Sequence, residues 1–195
     1  LCGRCHSDAA YMKTFNPALR VDQVQEYFTS VHGRRLQAGD QKAATCINCH
    51  DVHQIRAIKD QQAWTYPVKI VETCGRCHGD PAYMAGRKVA TDVLDEYKMS
   101  VHYEALTARG DLSAPTCNVC HGNHGAVPPG VDSVANVCGT CHGVTAEMFS
   151  KSPHKAAFAA MGLTPCVACH SNHAVLRTSD AERTHVAQTL RLAEQ

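Results

Sequence analysis

The 195-residue sequence predicts a mainly α-helical fold with extensive coil, arranged as three tandem modules in an elongated array. One pattern of cysteines, histidines and apolar residues occurs three times along the chain, which is the signature of a repeat architecture. Each copy contains apolar residues at helical spacing, whereas strand-like spacing is confined to one run, Val68-Lys-Ile-Val71. Repeats that contact mainly their neighbours favour an elongated arrangement.

The three repeats begin at Cys2, Cys74 and Cys138. The first reads CGRCHSDAAYM, SVHGRRLQAGD and TCINCHDVH; the second reads CGRCHGDPAYM, SVHYEALTARGD and TCNVCHGNHGAV; the third reads CGTCHGVTAEM, SPHKAAFAAMGL and PCVACHSNHAV. We therefore divide the chain into repeats at 1–72, 73–136 and 137–178, followed by a predicted C-terminal helix at 179–195.

An amphipathic helix is predicted before the isolated histidine of the first two repeats. The apolar residues at helical spacing are Val21, Val24, Phe28 and Val31 in the first repeat, and Val93, Leu94, Tyr97 and Val101 in the second. In the third repeat, Ser152-Pro153 is typical of an N-cap followed by proline at the first helical position, so a helix should begin at the histidine. Val68-Lys-Ile-Val71 predicts one short strand, and the Pro-Gly cluster around 127–132 predicts a loop.

All twelve cysteines fall into six Cys-x-x-Cys-His strings, the attachment signature of c-type haem. The two thiols bond to one porphyrin and the adjacent imidazole binds its iron. The predicted thioether cysteines are Cys2, Cys5, Cys46, Cys49, Cys74, Cys77, Cys117, Cys120, Cys138, Cys141, Cys166 and Cys169. The predicted proximal iron ligands are His6, His50, His78, His121, His142 and His170. The chain should therefore carry six haem c groups, two in each repeat.

Disulfides or structural zinc also explain paired cysteines, but neither requires a histidine after each pair. With 13 histidines in 195 residues, six such neighbours arise by chance with a probability of about 10⁻⁷. Six haems leave 195/6, or about 32, residues for each cofactor. So short a chain cannot bury a conventional core around each haem, so the porphyrins themselves should form most of the interior.

Seven histidines lie outside the attachment motifs, and six of them occupy equivalent places in the repeats. These six are the predicted distal iron ligands: His32, His102 and His154 follow a serine, and His53, His124 and His173 extend the second motif to Cys-x-x-Cys-His-x-x-His. Two such histidines in each repeat match two haems in each repeat. All six irons should then have two imidazole ligands, which closes them to substrate and suits electron transfer.

His50 and His53 are expected one helical turn apart on one side of a helix, so they cannot bind opposite faces of the same porphyrin. His53 should therefore bind a different haem, and the same reasoning holds for His124 and His173. We favour the isolated histidine as ligand of the second haem in each repeat and the His-x-x-His histidine as ligand of the first. This pairing could be exchanged, or it could cross between neighbouring repeats.

His185 stands outside the repeats and is either solvent-facing or a candidate extra ligand for a haem in another chain or in a further part of this one. Met12, Met84 and Met148 recur ten residues after each first-motif cysteine. Methionine can bind haem iron, but a histidine is available for every iron here. We therefore expect these methionines to pack against porphyrin.

These paired motifs resemble those of the multihaem c-type cytochromes of anaerobic and metal-respiring bacteria, over almost the whole chain from Cys2 to His173. The resemblance implies a haem-cored hexahaem cytochrome of the respiratory electron-transfer type, with bis-histidine haems and little regular secondary structure. Members of that group serve as soluble carriers, as subunits of membrane complexes or as extracellular conducting filaments (nanowires). The expected partners are therefore redox proteins or other copies of the chain, in a homopolymer or a larger complex.

A multihaem oxidoreductase of the nitrite or hydroxylamine type is the alternative function, but such enzymes keep one iron open. Here every motif ends in histidine and the supply of distal histidines meets the demand, so catalysis is not expected. The formal charge of +1 omits the cofactors, and each ferric haem adds about −1, so the holoprotein should be near 1 − 6 = −5. Nothing here suggests a nucleic-acid partner, and no apolar run is long enough for a membrane span. Because haem is attached outside the bacterial cytoplasm, a periplasmic, outer-surface or extracellular location is expected.

Overall fold

The computed structural model describes residues 1–130 and 134–177, and in this part of the chain it contains fourteen α-helices and no β-strand. The predicted mainly helical fold with extensive coil is therefore confirmed. The elongated three-module arrangement stays a prediction. The C-terminal helix predicted at 179–195, with His185, lies outside the described residues.

The first two repeats contain the same succession of five helices. In the first repeat these are α1 (Gly3–His6), α2 (Ala9–Met12), α3 (Gln23–Thr29), α4 (Val31–Gln37) and α5 (Cys46–His50). In the second they are α6 (Pro67–His78), α7 (Pro81–Met84), α8 (Val93–Lys98), α9 (Val101–Ala108) and α10 (Cys117–His121). The third repeat has four: α11 (Val134–Gly139), α12 (Gly143–Lys151), α13 (Pro153–Met161) and α14 (Val167–His170). It is shorter because α12 alone replaces two helices.

A serine separates the two central helices of each repeat. In the first repeat Ser30 is fully buried, and its Oγ accepts the backbone N–H of Gly33 at 2.9 Å while donating to the carbonyl of Tyr27 at 2.6 Å. The serine therefore ends one helix and caps the next, since its oxygen satisfies an amide that has no partner within the helix. Ser100 makes the same two kinds of bond in the second repeat.

These serines change the helix prediction. The apolar spacing predicted one helix reaching Val31 and one reaching Val101, but both residues begin the next helix instead. The prediction for the third repeat is confirmed, because Ser152 is the N-cap of α13 and Pro153 is its first residue. All three repeats therefore place the isolated histidine at the second position of a helix.

The strand predicted at Val68-Lys-Ile-Val71 is wrong, because this run lies inside α6. Pro67 begins the helix, a position where the absence of an amide proton costs nothing. Ile70 and Val71 are only 8% and 1% exposed, so the two β-branched residues are buried as neighbours on the helix. Tertiary burial has overridden the local preference of these residues for strand.

A glycine follows the first cysteine of each repeat and lets a helix lie against the haem motif. A Cβ atom built on Gly3 would lie 3.3 Å from Val24, one on Gly75 2.7 Å from Leu94, and one on Gly139 3.2 Å from Ala146. Val24 and Leu94 occupy equivalent positions, six residues before the capping serine. The same packing of helix against motif therefore recurs in the first two repeats.

The described structure forms two compact units that do not coincide with the repeats. One contains Leu1–Cys74 and Cys117–Pro128, so the first repeat clusters with the last motif of the second. The other contains Gly75–Thr116 together with the described residues from Pro129 onward. Each unit therefore joins segments of two neighbouring repeats.

Few apolar side chains are buried within the described residues. They are Ala43, Ala63, Ile70, Val71, Met84, Leu106 and Ala114, and three of these seven are alanines. Large apolar residues within or beside the motifs remain exposed, including Ile47 at 47%, Val119 at 52% and Val144 at 75%. The polypeptide thus leaves apolar surface around the motifs, as expected of a chain whose interior is completed by porphyrin.

We predict that Gly33→Ala destabilises the protein by about 1–3 kcal/mol, because the added Cβ must displace backbone. Built on Gly33, this atom would lie 2.1 Å from the carbonyl oxygen of Tyr27. The control is Gly143→Ala, since no atom lies within 4 Å of its Cβ position. Denaturant unfolding followed by circular dichroism should show a lower midpoint for Gly33→Ala only. Equal midpoints for both variants would contradict the close packing.

Candidate haem site

All six Cys-x-x-Cys-His strings lie in or beside one turn of helix. Five histidines end a helix (His6 in α1, His50 in α5, His78 in α6, His121 in α10 and His170 in α14), and His142 instead precedes α12 as its N-cap. A single helical turn brings the two thiols and the imidazole of a motif close together, as attachment to one porphyrin requires.

The two motifs of each repeat meet through their first cysteines. Cys46 lies within hydrogen-bonding reach of Cys2, and Cys166 within reach of Cys138. Burial, and then the neighbouring thiol, raise the pKa of Cys46 and of Cys166. In the second repeat a hydrogen bond from Cys74 lowers the pKa of the Cys117 thiol. The arrangement recurs three times, so the predicted attachment points of two haems lie side by side in every repeat.

The described residues include all twelve cysteines, and none of these forms a disulfide. Nor does this part of the chain contain a group of three or more His, Cys, Asp or Glu side chains placed to hold a metal ion. The cysteines are thus placed as pairs beside a histidine rather than as tetrahedral clusters.

The imidazole rings of His50 and His124 are nearly parallel, with planes inclined by 10°, and their centres are 6.1 Å apart. Two imidazoles on opposite sides of one iron have ring centres about 6 Å apart, because a metal–nitrogen bond is about 2 Å long and each ring centre lies about 1 Å beyond. The separation of His50 and His124 therefore fits a single iron between them.

A second pair, His102 and His142, has ring centres 6.3 Å apart and planes inclined by 38°. His142 ends a first motif and His102 is the isolated histidine of the preceding repeat. This separation also fits one iron. The two pairs thus contain both kinds of predicted distal histidine, one from a His-x-x-His string and one from a Ser-x-His helix.

The lowered pKa of three of these imidazoles suits metal binding. Burial is the main cause that lowers the pKa of His50 and of His102, and the facing imidazole in each pair lowers it further. Burial also lowers the pKa of His124, although Glu26 acts in the opposite direction. The neutral imidazole, which is the form that binds iron, is therefore favoured near neutral pH.

Oxygen atoms face the Nδ1 side of three histidines. His124 Nδ1 lies 3.8 Å from Glu26 Oε2, and His173 Nδ1 lies 3.4 Å from Glu96 Oε2. Histidine 121 has the carbonyl oxygen of Val127 at 3.3 Å from its Nδ1. An oxygen at Nδ1 favours the tautomer with the proton there, which leaves Nε2 available to bind iron. These residues therefore fit haem ligation.

The backbone turns away directly after the second motif of each repeat. Asp51, Gly122 and Ser171 follow the motif histidine, and their φ angles are +64°, +83° and +63°. This left-handed region favours glycine and ends the helix at the histidine. The expectation that the two histidines of His-x-x-His stand one helical turn apart is therefore wrong. The predicted distal histidine lies on the segment that follows the motif helix.

This segment docks on the Ser-capped helix of the preceding repeat. The backbone N–H of Val31 donates to the carbonyl of Ala126 at 3.0 Å, and that of Val101 donates to Val175 at 2.8 Å. Each acceptor comes two residues after a His-x-x-His histidine. Each donor is the first amide of a helix and has no partner within that helix. The contact therefore satisfies an otherwise unpaired donor and positions the predicted distal histidine.

In the first two repeats a tyrosine also ties the helix before the capping serine, α3 or α8, to the second motif of its own repeat. Tyr27 Oη donates to the carbonyl of Ala44 at 2.7 Å, and Tyr97 Oη donates to that of Pro115 at 2.8 Å. Both acceptors precede the motif cysteine by two residues. Sequence reasoning missed the tyrosines as well as Glu26 and Glu96. Their signal was available, since they recur three and four residues before the capping serine.

The haem pairing favoured from the sequence stays a prediction, but the imidazoles that lie close together in the structure are arranged in another way. His124 faces a second-motif histidine of the first repeat, and His102 faces a first-motif histidine of the third. Both pairs cross between neighbouring repeats, the alternative left open above. Of the other predicted distal ligands, His32 and His173 are half-buried, and His53 and His154 are exposed. Among the methionines, Met84 is buried, Met12 is half-buried and Met148 is 68% exposed.

A sequence model of the cytochrome c3 family matches residues 40–143, just over half of the chain. The matched segment contains four of the six attachment motifs, from Cys46 to His142. Neither the curated proteins nor the solved structures that were searched include a match. Across the described ranges, no helix combines the length and the apolar character that crossing a lipid bilayer requires.

Glu96→Gln should raise the reduction potential of one haem, because the carboxylate beside Nδ1 of His173 stabilises the ferric state. A partly exposed ion pair contributes at most about 1 kcal/mol, so the rise in this one-electron potential should be roughly 40 mV or less. Potentiometric titration followed by visible absorption measures it. The control is Glu147→Gln, whose carboxylate pairs with Lys151 at 2.6 Å on α12. A shift equal to that of the control would argue against a role for Glu96.

Proposed function

Since this chain belongs to the cytochrome c3 family, whose members bind haem c and carry electrons, we propose that it conducts electrons through six covalently bound haems. Each Cys-x-x-Cys-His string would attach one haem, and each iron would have two histidine ligands. The haems, when bound, supply one-electron redox chemistry. The polypeptide would fix their positions, their axial ligands and their exposure to water.

The observation that carries this proposal is the pair formed by His50 and His124. Their centres are 6.1 Å apart, although the residues belong to different repeats and are 74 positions apart in sequence (124 − 50). Without a metal ion between them, no direct interaction would favour two half-buried imidazoles at this separation. The pair His102 and His142 repeats the arrangement with the other kind of distal histidine.

We propose His32, His53, His102, His124, His154 and His173 as distal ligands, with their partners in neighbouring repeats. The two observed pairs suggest a ligand rule in which one kind of histidine binds a haem of the preceding repeat and the other kind binds a haem of the following repeat. A His-x-x-His histidine would bind the second-motif haem of the preceding repeat, as proposed for His124 opposite His50. An isolated histidine would bind the first-motif haem of the following repeat, as proposed for His102 opposite His142.

This ligand scheme would place haems close together along the chain. The adjacent first cysteines, such as Cys2 and Cys46, would hold the two haems of one repeat side by side. His124 follows His121 by three residues, so its reach to the haem of His50 would bring haems of two repeats together. Electron transfer between haems requires such short separations, and alternating contacts within and between repeats would supply them.

An iron with two imidazole ligands has no position for a substrate, which supports an electron conduit rather than an enzyme. Members of the family are typically periplasmic or secreted, and we propose a periplasmic, outer-surface or extracellular location for this chain. Its partners would be redox proteins or other copies of itself, within a larger complex or a conducting filament.

His124→Ala and His102→Ala should each convert one low-spin haem into a high-spin haem, because one iron loses its sixth ligand. Electron paramagnetic resonance and magnetic circular dichroism of the oxidised holoprotein count such haems, and added imidazole should restore the low-spin signal. Asn123→Ala is the matched control, since this neighbour of His124 bonds to the Asn118 amide instead. Unchanged low-spin spectra for both histidine variants would contradict the proposed ligand scheme.

A further inference from the structure

We propose that His53 binds the iron of a haem in a further two-haem repeat, which docks ahead of the first repeat. This further repeat would contact the His53 segment through a glutamate and a helix amide of its own. The inference rests on the proposed function, because it extends the ligand rule to the first repeat. It assigns His53 to an iron outside the six attachment motifs of this sequence.

His53 is the first-repeat equivalent of His124 and His173. Those two histidines are half-buried against an earlier repeat, with side chains 36% and 30% exposed, whereas His53 is exposed. Within residues 1–130 and 134–177, His53 makes no ring contact with a motif histidine, in contrast to His124. The same kind of ligand is therefore present in the first repeat without the surroundings that the other two share.

Those surroundings consist of two contacts, and both come from the preceding repeat. A glutamate faces Nδ1 of the histidine, as Glu26 does for His124 and Glu96 does for His173. The first amide of a Ser-capped helix donates to the carbonyl two residues further on, as Val101 does to Val175. For His53 this acceptor would be the carbonyl of Ile55. Its docking partner must therefore carry the same glutamate and the same amide.

The third repeat of a second copy does not meet this requirement. Met148 occupies the position of Glu26 and Glu96, four residues before the capping serine. Pro153 is the first residue of the capped helix and has no amide proton to donate. Both contacts are thus absent from the third repeat, while in the first two repeats they are already used within the chain. Head-to-tail joining of identical copies through this contact is therefore not expected.

The partner is instead a two-haem repeat of the first or second type. It carries glutamate four residues before the capping serine and a residue other than proline directly after that serine. By the second part of the ligand rule, its isolated histidine would bind the iron of the haem at His6, which is also exposed in the first repeat. Each of the two repeats would then provide one imidazole ligand to a haem of the other repeat.

His53→Ala in the holoprotein tests the proposal, compared with the same substitution in a Cys2→Ala/Cys5→Ala background that cannot attach haem at the first motif. In a polypeptide whose intact mass shows more than six haems, His53→Ala should yield one high-spin haem in both backgrounds. Loss of this signal in the background without the first haem would overturn the proposal, because His53 would then bind the haem at His6. Wholly low-spin spectra of the single variant would overturn it as well.

His124→Ala is the matched control, alone and in a Cys46→Ala/Cys49→Ala background. Its high-spin signal should disappear there, because His124 and the removed haem belong to the same iron site. If His124→Ala gives no high-spin haem at all, the proposed ligand scheme fails. If His124→Ala behaves as expected and His53→Ala does not, only the present inference fails.

Intact mass also distinguishes where the partner repeat resides. A polypeptide with only six haems would meet this repeat on a separate protein, so in isolation His53→Ala should leave the spectrum unchanged. By the ligand rule the isolated wild type should then contain two high-spin haems, at His6 and at His170, because each would take its distal ligand from a further repeat. Free imidazole should convert both to low spin, and the Cys2→Ala/Cys5→Ala background should retain only one. A six-haem wild type whose high-spin signal is the same with and without the first motif's cysteines would overturn the proposal.

Discussion

The constraint on which this structure depends is the placement of two imidazoles on opposite sides of one iron, with ring centres about 6 Å apart. The ring centres of His50 and His124 have this separation although the two residues come from different repeats. Each must be held by its own backbone, since a shift of one ångström would break an iron–nitrogen bond. The hydrogen bonds of the capping serines and of the tyrosine hydroxyls, together with the glutamates near Nδ1, provide this positioning and occur in both of the first two repeats.

Short helices follow from the same constraint. A chain with about 32 residues for each haem buries few side chains, so its helices gain little from packing against one another. Their ends must therefore be stabilised locally, and a cap such as Ser30 contributes about 1 kcal/mol. Ser30 caps α4, and the first amide of α4 donates to Ala126 of the next repeat. The same helix terminus is therefore stabilised both by a local cap and by a bond between repeats.

Sequence reasoning reached the features that are local in the chain. The Cys-x-x-Cys-His strings, the triple repeat and the cap formed by Ser152 and Pro153 could all be read from spacing. The predicted strand at Val71 was wrong because tertiary burial determined that this run is helical. The predicted helical spacing of His50 and His53 was wrong because Asp51 has a positive φ, which ends the helix. The facing of His124 and His50 joins distant segments, and no periodicity within one repeat encodes such a contact. The recurrence of glutamate four residues before the capping serine, at Glu26 and Glu96, was a signal of contact between repeats that sequence reasoning missed.

An experimental structure of the haem-loaded protein tests the central claim most directly, because density for the irons shows their axial ligands. The account predicts six haems on the motifs of residues 1–177, with the second-motif iron of the first repeat bound by His50 and His124. It also predicts His142 and His102 on the iron of the third repeat's first motif. Fewer than six haems, or an iron at His50 whose sixth ligand is another histidine or water, would contradict it.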